Sequence, residues 1–378
     1  MRSFSCIRHR IFIQGNPYRT CAVALSLMIS LSAAAQSLTG SANPNLDPDA
    51  NASATTPMQT GPLDRVWVAQ VPNFEPSTYQ LAVPKLIQEF ESESGLRLEP
   101  GEKGKVGIKI YTNSGAGLRT PPTLVNALVD FLVQRGYDRK DLFLIDLNLN
   151  SLWRSGYLSS RADTVREFNG VPVFALNEGR FFHPEWFYDS PLPSQYLAPL
   201  QLLNEGGYDV DFQMLDDRKS FLPVPLLLDV DFWVNLPIVS DHPDLGINGV
   251  LANATLWNVS NQFRFMNNMA GASAAIAEIA AIPELRRGWV FSIVSLEKLQ
   301  FMGGPIFNSN YVREFNEIYL SSNPVALDRI FLEKLNRARE TMGFTAVSPV
   351  PPLFEYARSL DLGDFDRNSY TTEIISLP

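Results

Sequence analysis

Residues 105–146 read KVGIKIYTNSGAGLRTPPTLVNALVDFLVQRGYDRKDLFLID. Two near-continuous apolar runs, Val106–Tyr111 and Leu142–Asp146, have the pattern of strands covered on both faces. Between them, Pro121–Gln134 reads as a helix with Thr120 as its N-cap and Pro121 at its first position, closed by Gly136. A strand, a crossover helix and a second buried strand make the unit from which parallel sheets are built.

The same alternation runs outward from this stretch. Order begins near Arg65-Val-Trp-Val, a short strand. A helix is predicted over Gln80–Glu93, with Leu81, Val83, Leu86, Ile87 and Phe90 on one side. Further strands are predicted at Val171–Ala175, Asp231–Asn235, Trp289–Val294 and Glu317–Leu320, and a helix over Pro324–Met342 closed by Gly343. The implied fold is α/β: a mostly parallel sheet with helices on both faces, a Rossmann-like three-layer arrangement in a single domain over residues 63–378. Residues 176–222, rich in aromatics, Pro and Gly, read as an irregular aromatic-rich insertion.

The first 35 residues have the composition of an export signal. Arg2, Arg8, Arg10 and Arg19 form a basic leader without an acidic residue. The apolar run from Cys21 to Leu31 is too short to span a bilayer. Ala33-Ala34-Ala35 supplies the small residues of a cleavage site, so the expected location is outside the cytoplasm, periplasmic or extracellular. Residues 36–62, made of Ser, Asn, Asp, Ala, Thr, Pro and Gly, read as a disordered spacer. Within it, Asp47-Pro-Asp49-Ala-Asn51 starts like a calcium loop. It lacks the turn glycine, and Met58 stands where the final Glu belongs.

Composition excludes whole classes of function. Both cysteines, Cys6 and Cys21, lie in the leader, so the processed chain has no thiol for disulfides, iron–sulfur clusters or cysteine-held zinc. Cleavage after Ala35 leaves 27 basic against 40 acidic residues, moving the formal charge from −9 to −13. Such a chain carries no electrostatic footprint for nucleic acid, and no transmembrane segment is expected after removal of the leader. No cofactor is predicted, although paired carboxylates leave room for a divalent cation.

Candidate chemistry gathers where apolar runs end, because open α/β sheets collect ligands at the carboxyl ends of their strands. Lys109 and Asn113 follow one strand, Asp146 ends the next, and Asn235 ends a third with Asp241 and His242 shortly after. Lys109, Asn113, Asp146 and His242 are expected to share one cleft, with Lys109 as its main positive charge. The segment Ser114-Gly115-Ala116-Gly117-Leu118-Arg119-Thr120 joins a strand to a helix start. Such a junction favours anions through its free N–H groups, yet it lacks the third glycine of a dinucleotide fingerprint and reads more simply as a plain turn. His183 and His242 are the histidines of the processed chain; His183 reads as a packing element of the insertion, and a two-histidine zinc site requires the two to meet.

Several segments in order resemble the domain-of-unknown-function 362 family, in its exported bacterial branch. They are Lys105-Val-Gly-Ile-Lys109, Pro121 to Gly136, Asn235-Leu-Pro-Ile-Val-Ser-Asp-His242, Gly246-Ile-Asn-Gly-Val-Leu-Ala-Asn253 and Asn323-Pro-Val-Ala-Leu-Asp328. The likeness covers roughly residues 64–376 and implies an α/β fold of largely undefined activity. Lys109, Asp146, His242, Asn253 and Asp328 match the family pattern. Ser240 and Ala252 stand where the pattern has lysine, Ser295 where it has aspartate, and Asn267–Ala275 lacks its His and Cys.

The resulting expectation is an exported protein that binds a small anionic ligand or partner, with altered or lost catalysis. Its ligand contacts would come from Asn113, Gly115, Gly117, Arg119, Asn235 and Asn253. The alternatives are an active enzyme using Lys109, Asp146, His242 and Asp328, with or without a carboxylate-held cation, and a cell-envelope interaction protein using the aromatic insertion. Intact mass of the exported protein is expected to correspond to a chain starting at Gln36; a mass that retains the leader refutes the cleavage.

Overall fold

The computed structural model describes residues 62–162, 164–190 and 218–377. The leader, the spacer up to residue 61 and residues 191–217 of the expected insertion lie outside the described residues.

The chain opens with strand β1 (Arg65–Gln70) and helix α1 (Pro76–Ser94), then β2 (Val106–Lys109), α2 (Pro122–Gln134), β3 (Leu142–Asp146) and α3 (Leu149–Arg154). The short β4 (Glu167–Phe168) and β5 (Val171–Ala175) follow, then β6 (Phe182–Asp189), β7 (Lys219–Pro223), α4 (Val224–Leu228) and β8 (Phe232–Asn235). Next come β9 (Val239–His242), β10 (Gly246–Asn248), α5 (Val250–Ala254), α6 (Met269–Ala280), α7 (Pro283–Gly288) and β11 (Trp289–Ser295). The chain closes with β12 (Leu299–Gln300), β13 (Val312–Arg313), β14 (Glu317–Ser321), α8 (Pro324–Thr341), α9 (Leu353–Ser359) and β15 (Thr371–Ile375).

Nine strands form a mixed sheet in the order β15-β1-β14-β11-β8-β2-β3-β5-β4. Its centre is parallel, β11 to β8 to β2 to β3 to β5, and antiparallel pairings enter only around β14 and at the β4 edge. The three strands whose polar ends stood out in the sequence are therefore adjacent. Lys109 is in register with Asn235 on one side and Ile145 on the other.

Side chains alternate across each strand, so the sheet feeds two apolar clusters. Val106 and Ile108 of β2, Leu142 and Leu144 of β3 and Val234 of β8 join Leu86, Phe90, Leu128 and Leu132 of α1 and α2. Phe143 and Trp233 belong to the other cluster, with Leu251 of α5, Ile276 of α6, Leu332 of α8 and Phe354 of α9. Each fully buried Leu, Val or Phe of this kind contributes about 1.5–3 kcal/mol relative to exposure.

Local starts and stops follow backbone chemistry, with some corrections to the sequence reading. Helix α1 begins at Pro76, four residues before the expected start, because proline is preorganised for the first turn. Leu81 of that helix is half exposed and not part of the apolar side. Helix α2 is preceded by Pro121, not capped by Thr120. Thr120 Oγ1 instead accepts the Tyr111 N–H at 2.8 Å and donates to the Leu236 carbonyl at 2.6 Å, stitching the β2 and β8 exits together. The described flanks of the 176–222 segment are regular where an irregular chain was expected. β6 and β7 pair antiparallel, with Phe187 opposite Phe221 and Tyr188 opposite Ser220.

Gly107, in the middle of β2, has a packing reason. A Cβ there would lie 2.4 Å from Leu226 Cδ2, 3.1 Å from Phe143 Cζ and 3.2 Å from Trp233 Cβ. Gly107→Val is expected to lower stability by about 1–3 kcal/mol through overpacking. A chemical-denaturation midpoint equal to that of the wild type would contradict this packing.

Candidate functional site

Lys109 ends β2 with its side chain wholly inside the protein. Lys109 and Asp146 are both 0% exposed. Lys109 Nζ is 2.7 Å from Asp146 Oδ1 and also donates to the Ile110 carbonyl at 2.6 Å and to Asn253 Oδ1 at 3.0 Å. Three donors of one ammonium thus meet three acceptors. Burial pushes the Lys109 ammonium below its ordinary pKa, and the Asp146 carboxylate pulls the other way. The second oxygen of Asp146 accepts the Thr112 hydroxyl at 2.5 Å.

Asn253 extends this group to a third strand. Its Nδ2 donates to Asn235 Oδ1 at 2.7 Å, while Asn235 Nδ2 donates to the Val250 carbonyl at 2.9 Å and to Ser292 Oγ at 3.2 Å. Helix α5, which carries Asn253, is held from the outside by Asp328. The Asp328 oxygens accept the Val250 N–H at 2.7 Å and the Leu251 N–H at 2.9 Å. Gly249 is required at this junction, since a Cβ there would lie 2.2 Å from Asp328 Oδ1. Asp328, near the start of α8, thus caps a different helix, α5.

His242 stands apart from this network. It is buried, its Nδ1 accepts the Asp244 N–H at 3.1 Å, and its ring lies 6.0 Å from that of Trp257. Burial pushes its pKa down to about 4 despite Asp244, so the ring is neutral at neutral pH. Among the described residues it makes no hydrogen bond to Lys109, Asp146 or Asp328. Trp257 in turn donates to Asn248 Oδ1 at 2.7 Å, and Asn248 Nδ2 donates to Ser240 Oγ at 3.4 Å. His183, with its imidazole more than half exposed, lies on β6 beside Glu185.

The glycine segment is a closed turn. The Gly115, Leu118 and Thr120 N–H groups bond to the carbonyls of Thr112, Gly115 and Tyr111. Arg119 donates to the Ser155 carbonyl, and Ser114 to that of Pro305. Gly117 admits the Phe307 ring, which a Cβ would meet at 2.1 Å. Asn113 is half-buried beside this turn. Lys109 and Asp146 therefore meet, Asn235 and Asn253 join them, and Asp328 braces their helix. Lys109 does not face a cleft as expected, because its ammonium is fully enclosed by those acceptors.

Other polar groups went unnoticed in the sequence. Tyr79 of α1 places its hydroxyl 2.7 Å from Ser295 Oγ and donates to Glu297 Oε2 at 2.9 Å. Burial, aided by Glu297, pushes that phenol well above its ordinary pKa. Nothing in the local sequence marks Tyr79 or Thr112, since each reads as an ordinary helix or loop residue.

Among the described residues, no group of three or more His, Cys, Asp or Glu is arranged to hold a metal ion, and no helix is long and apolar enough to cross a membrane. No protein-family model matches the chain, and no curated protein matches it. Three solved chains do. One is a crystal structure of a protein from Thermotoga maritima, 13% identical with a TM-score of 0.38, over 71% of this chain and 59% of that one. The matched region thus spans less than two thirds of the Thermotoga protein.

Burial pushes Asp328 up to about 7 against the lowering pull of the Leu251 and Val250 N–H groups. An acid held protonated in the folded state stabilises fully below its unfolded pKa and loses that contribution as pH rises through the folded value. Stability is therefore expected to fall between about pH 4 and pH 7 through this group, and Asp328→Asn to flatten that part of the profile. Denaturation midpoints across this range check it; parallel profiles for the two proteins would refute it.

Proposed function

We propose that this chain is an exported binding protein related to the domain-of-unknown-function 362 family, in which the strand-end polar groups hold the architecture and catalysis is lost. The observation that carries this reading is the complete burial of Lys109 and Asp146 against each other. A general base or acid must reach the proton it moves, and neither group reaches solvent. The positions that depart from the family pattern support the same reading. Ser240 Oγ accepts from Asn248, Ala252 lies in the apolar core, and Ser295 bonds Tyr79, so each fills a packing role.

In this reading the sheet is the centre of a Rossmann-like three-layer domain, with an aromatic-rich insertion over residues 176–222 and a leader removed after Ala35. The ligand is a small anion whose site lies away from Lys109.

Removing one partner of a buried ion pair leaves an uncompensated charge, so Lys109→Met is expected to destabilise by about 3–5 kcal/mol. Lys109→Met combined with Asp146→Asn removes both charges and is expected to recover much of that loss. In a thermal-shift screen of small carboxylates and phosphate, any stabilisation of the wild type is expected to persist in the double variant. A Lys109→Met protein of undiminished stability that no longer responds to an anion would return Lys109 to the ligand site and overturn the proposal.

A further inference from the structure

We propose that a cleft of about 400 Å³ between α8, β14 and the segment leading into β15 binds a small aromatic carboxylate. This deepens the binding reading above by naming a ligand class and a place for it. The volume lies within the roughly 300–1,000 Å³ typical of small-molecule sites.

The cleft is basic on an acidic protein. Lys334, Arg337 and Arg367 line it against a single lining acid, Glu333. Two of those cations are already engaged. Lys334 Nζ is 2.7 Å from Glu317 Oε2, and Arg367 pairs with Glu333, which also takes Arg329 at 3.3 Å. Arg337 is different: it is exposed, and among the described residues its guanidinium makes no hydrogen bond or ion pair. An unpaired guanidinium offers a planar fork that matches a carboxylate with two parallel hydrogen bonds. With Lys334 and Arg367 already paired to Glu317 and Glu333, Arg337 offers one open fork, which suits a ligand carrying one carboxylate.

The remaining walls define the body of the ligand. Phe315, Tyr319, Ile330 and Tyr370 give the cleft flat apolar surfaces. Lys334 Nζ already lies 4.8 Å from the Phe315 ring centre and 5.9 Å from that of Tyr319, so charge and ring faces are interleaved. Tyr319 is fixed by donation to Glu317 Oε2 at 2.8 Å and by an edge-on contact with Phe331 at 5.1 Å. A rigid wall of rings beside one free fork suits a flat ring carrying one carboxylate.

The test is calorimetric titration of the processed full-length chain with naphthoate, with naphthamide and acetate as the uncharged and ringless controls. Naphthoate is expected to bind, naphthamide to bind at least roughly tenfold more weakly, and acetate to give no measurable heat. Arg337→Ala is expected to weaken naphthoate by roughly tenfold or more, and Arg337→Lys to fall between the two because it keeps charge without the fork. Arg337 is exposed, so both variants should unfold at the wild-type midpoint. Absence of naphthoate binding, equal affinity for naphthamide, or unchanged affinity in Arg337→Ala overturns the site. Binding that depends on Arg337 upholds the cleft however the Lys109 and Asp146 variants behave, which separates this proposal from the one it rests on.

Discussion

The Lys109–Asp146 ion pair is the constraint on which the centre of this protein depends. Taking an ammonium and a carboxylate out of water carries a desolvation penalty of several kcal/mol per ion, repaid only when geometry is good and the remaining donors and acceptors are satisfied. Here every such condition is met by a different element. β2 supplies the lysine, β3 the aspartate, the loop after β2 the Thr112 hydroxyl, and α5 the Asn253 oxygen. Moving any of them strands a buried charge, so their relative positions are held tightly.

That requirement propagates outward. Asn253 can serve Lys109 only while α5 keeps its place, and α5 is a five-residue helix with no side-chain cap of its own. Asp328 from α8 provides the missing acceptors for its first N–H groups. Asn235 closes the arrangement by tying Asn253 to β8 and, through Ser292, to β11. One polar network thus fixes the central parallel strands and two helices on the face opposite α1 and α2. Such a network specifies a unique packing more than it adds net stability.

Interior and surface divide the ionic groups by task. Inside, donors and acceptors are matched around Lys109. At the surface, the cleft by α8 holds one cation without a partner among the described residues, Arg337, beside partly buried rings. Fold alone does not assign an activity, and the strand-end position where open α/β sheets gather ligands is here filled by the protein's own side chains.

Much of the framework was legible in the sequence. β3 and β5 begin and end where the apolar runs do, and α8 follows from Asn323 at its start, whose side chain accepts the Ala326 N–H, and Gly343 at its end. These elements carry their own signals of burial, capping and chain reversal. β9, β10, β12, β13 and β15 were missed because they are two to five residues long and defined by distant partners, as β15 is by β1. The residues of the polar network were also visible as residue types at strand ends. Their role was not, since a lysine after an apolar run reads the same whether it meets a ligand or an internal acceptor. What settled Lys109 was Asn253, 144 residues away in sequence, and the burial of Asp146. Local sequence determined the buried central strands and the long helices, through propensity and periodicity. Only the tertiary structure decided whether the charge at the end of β2 faces solvent, because desolvation depends on everything packed around it.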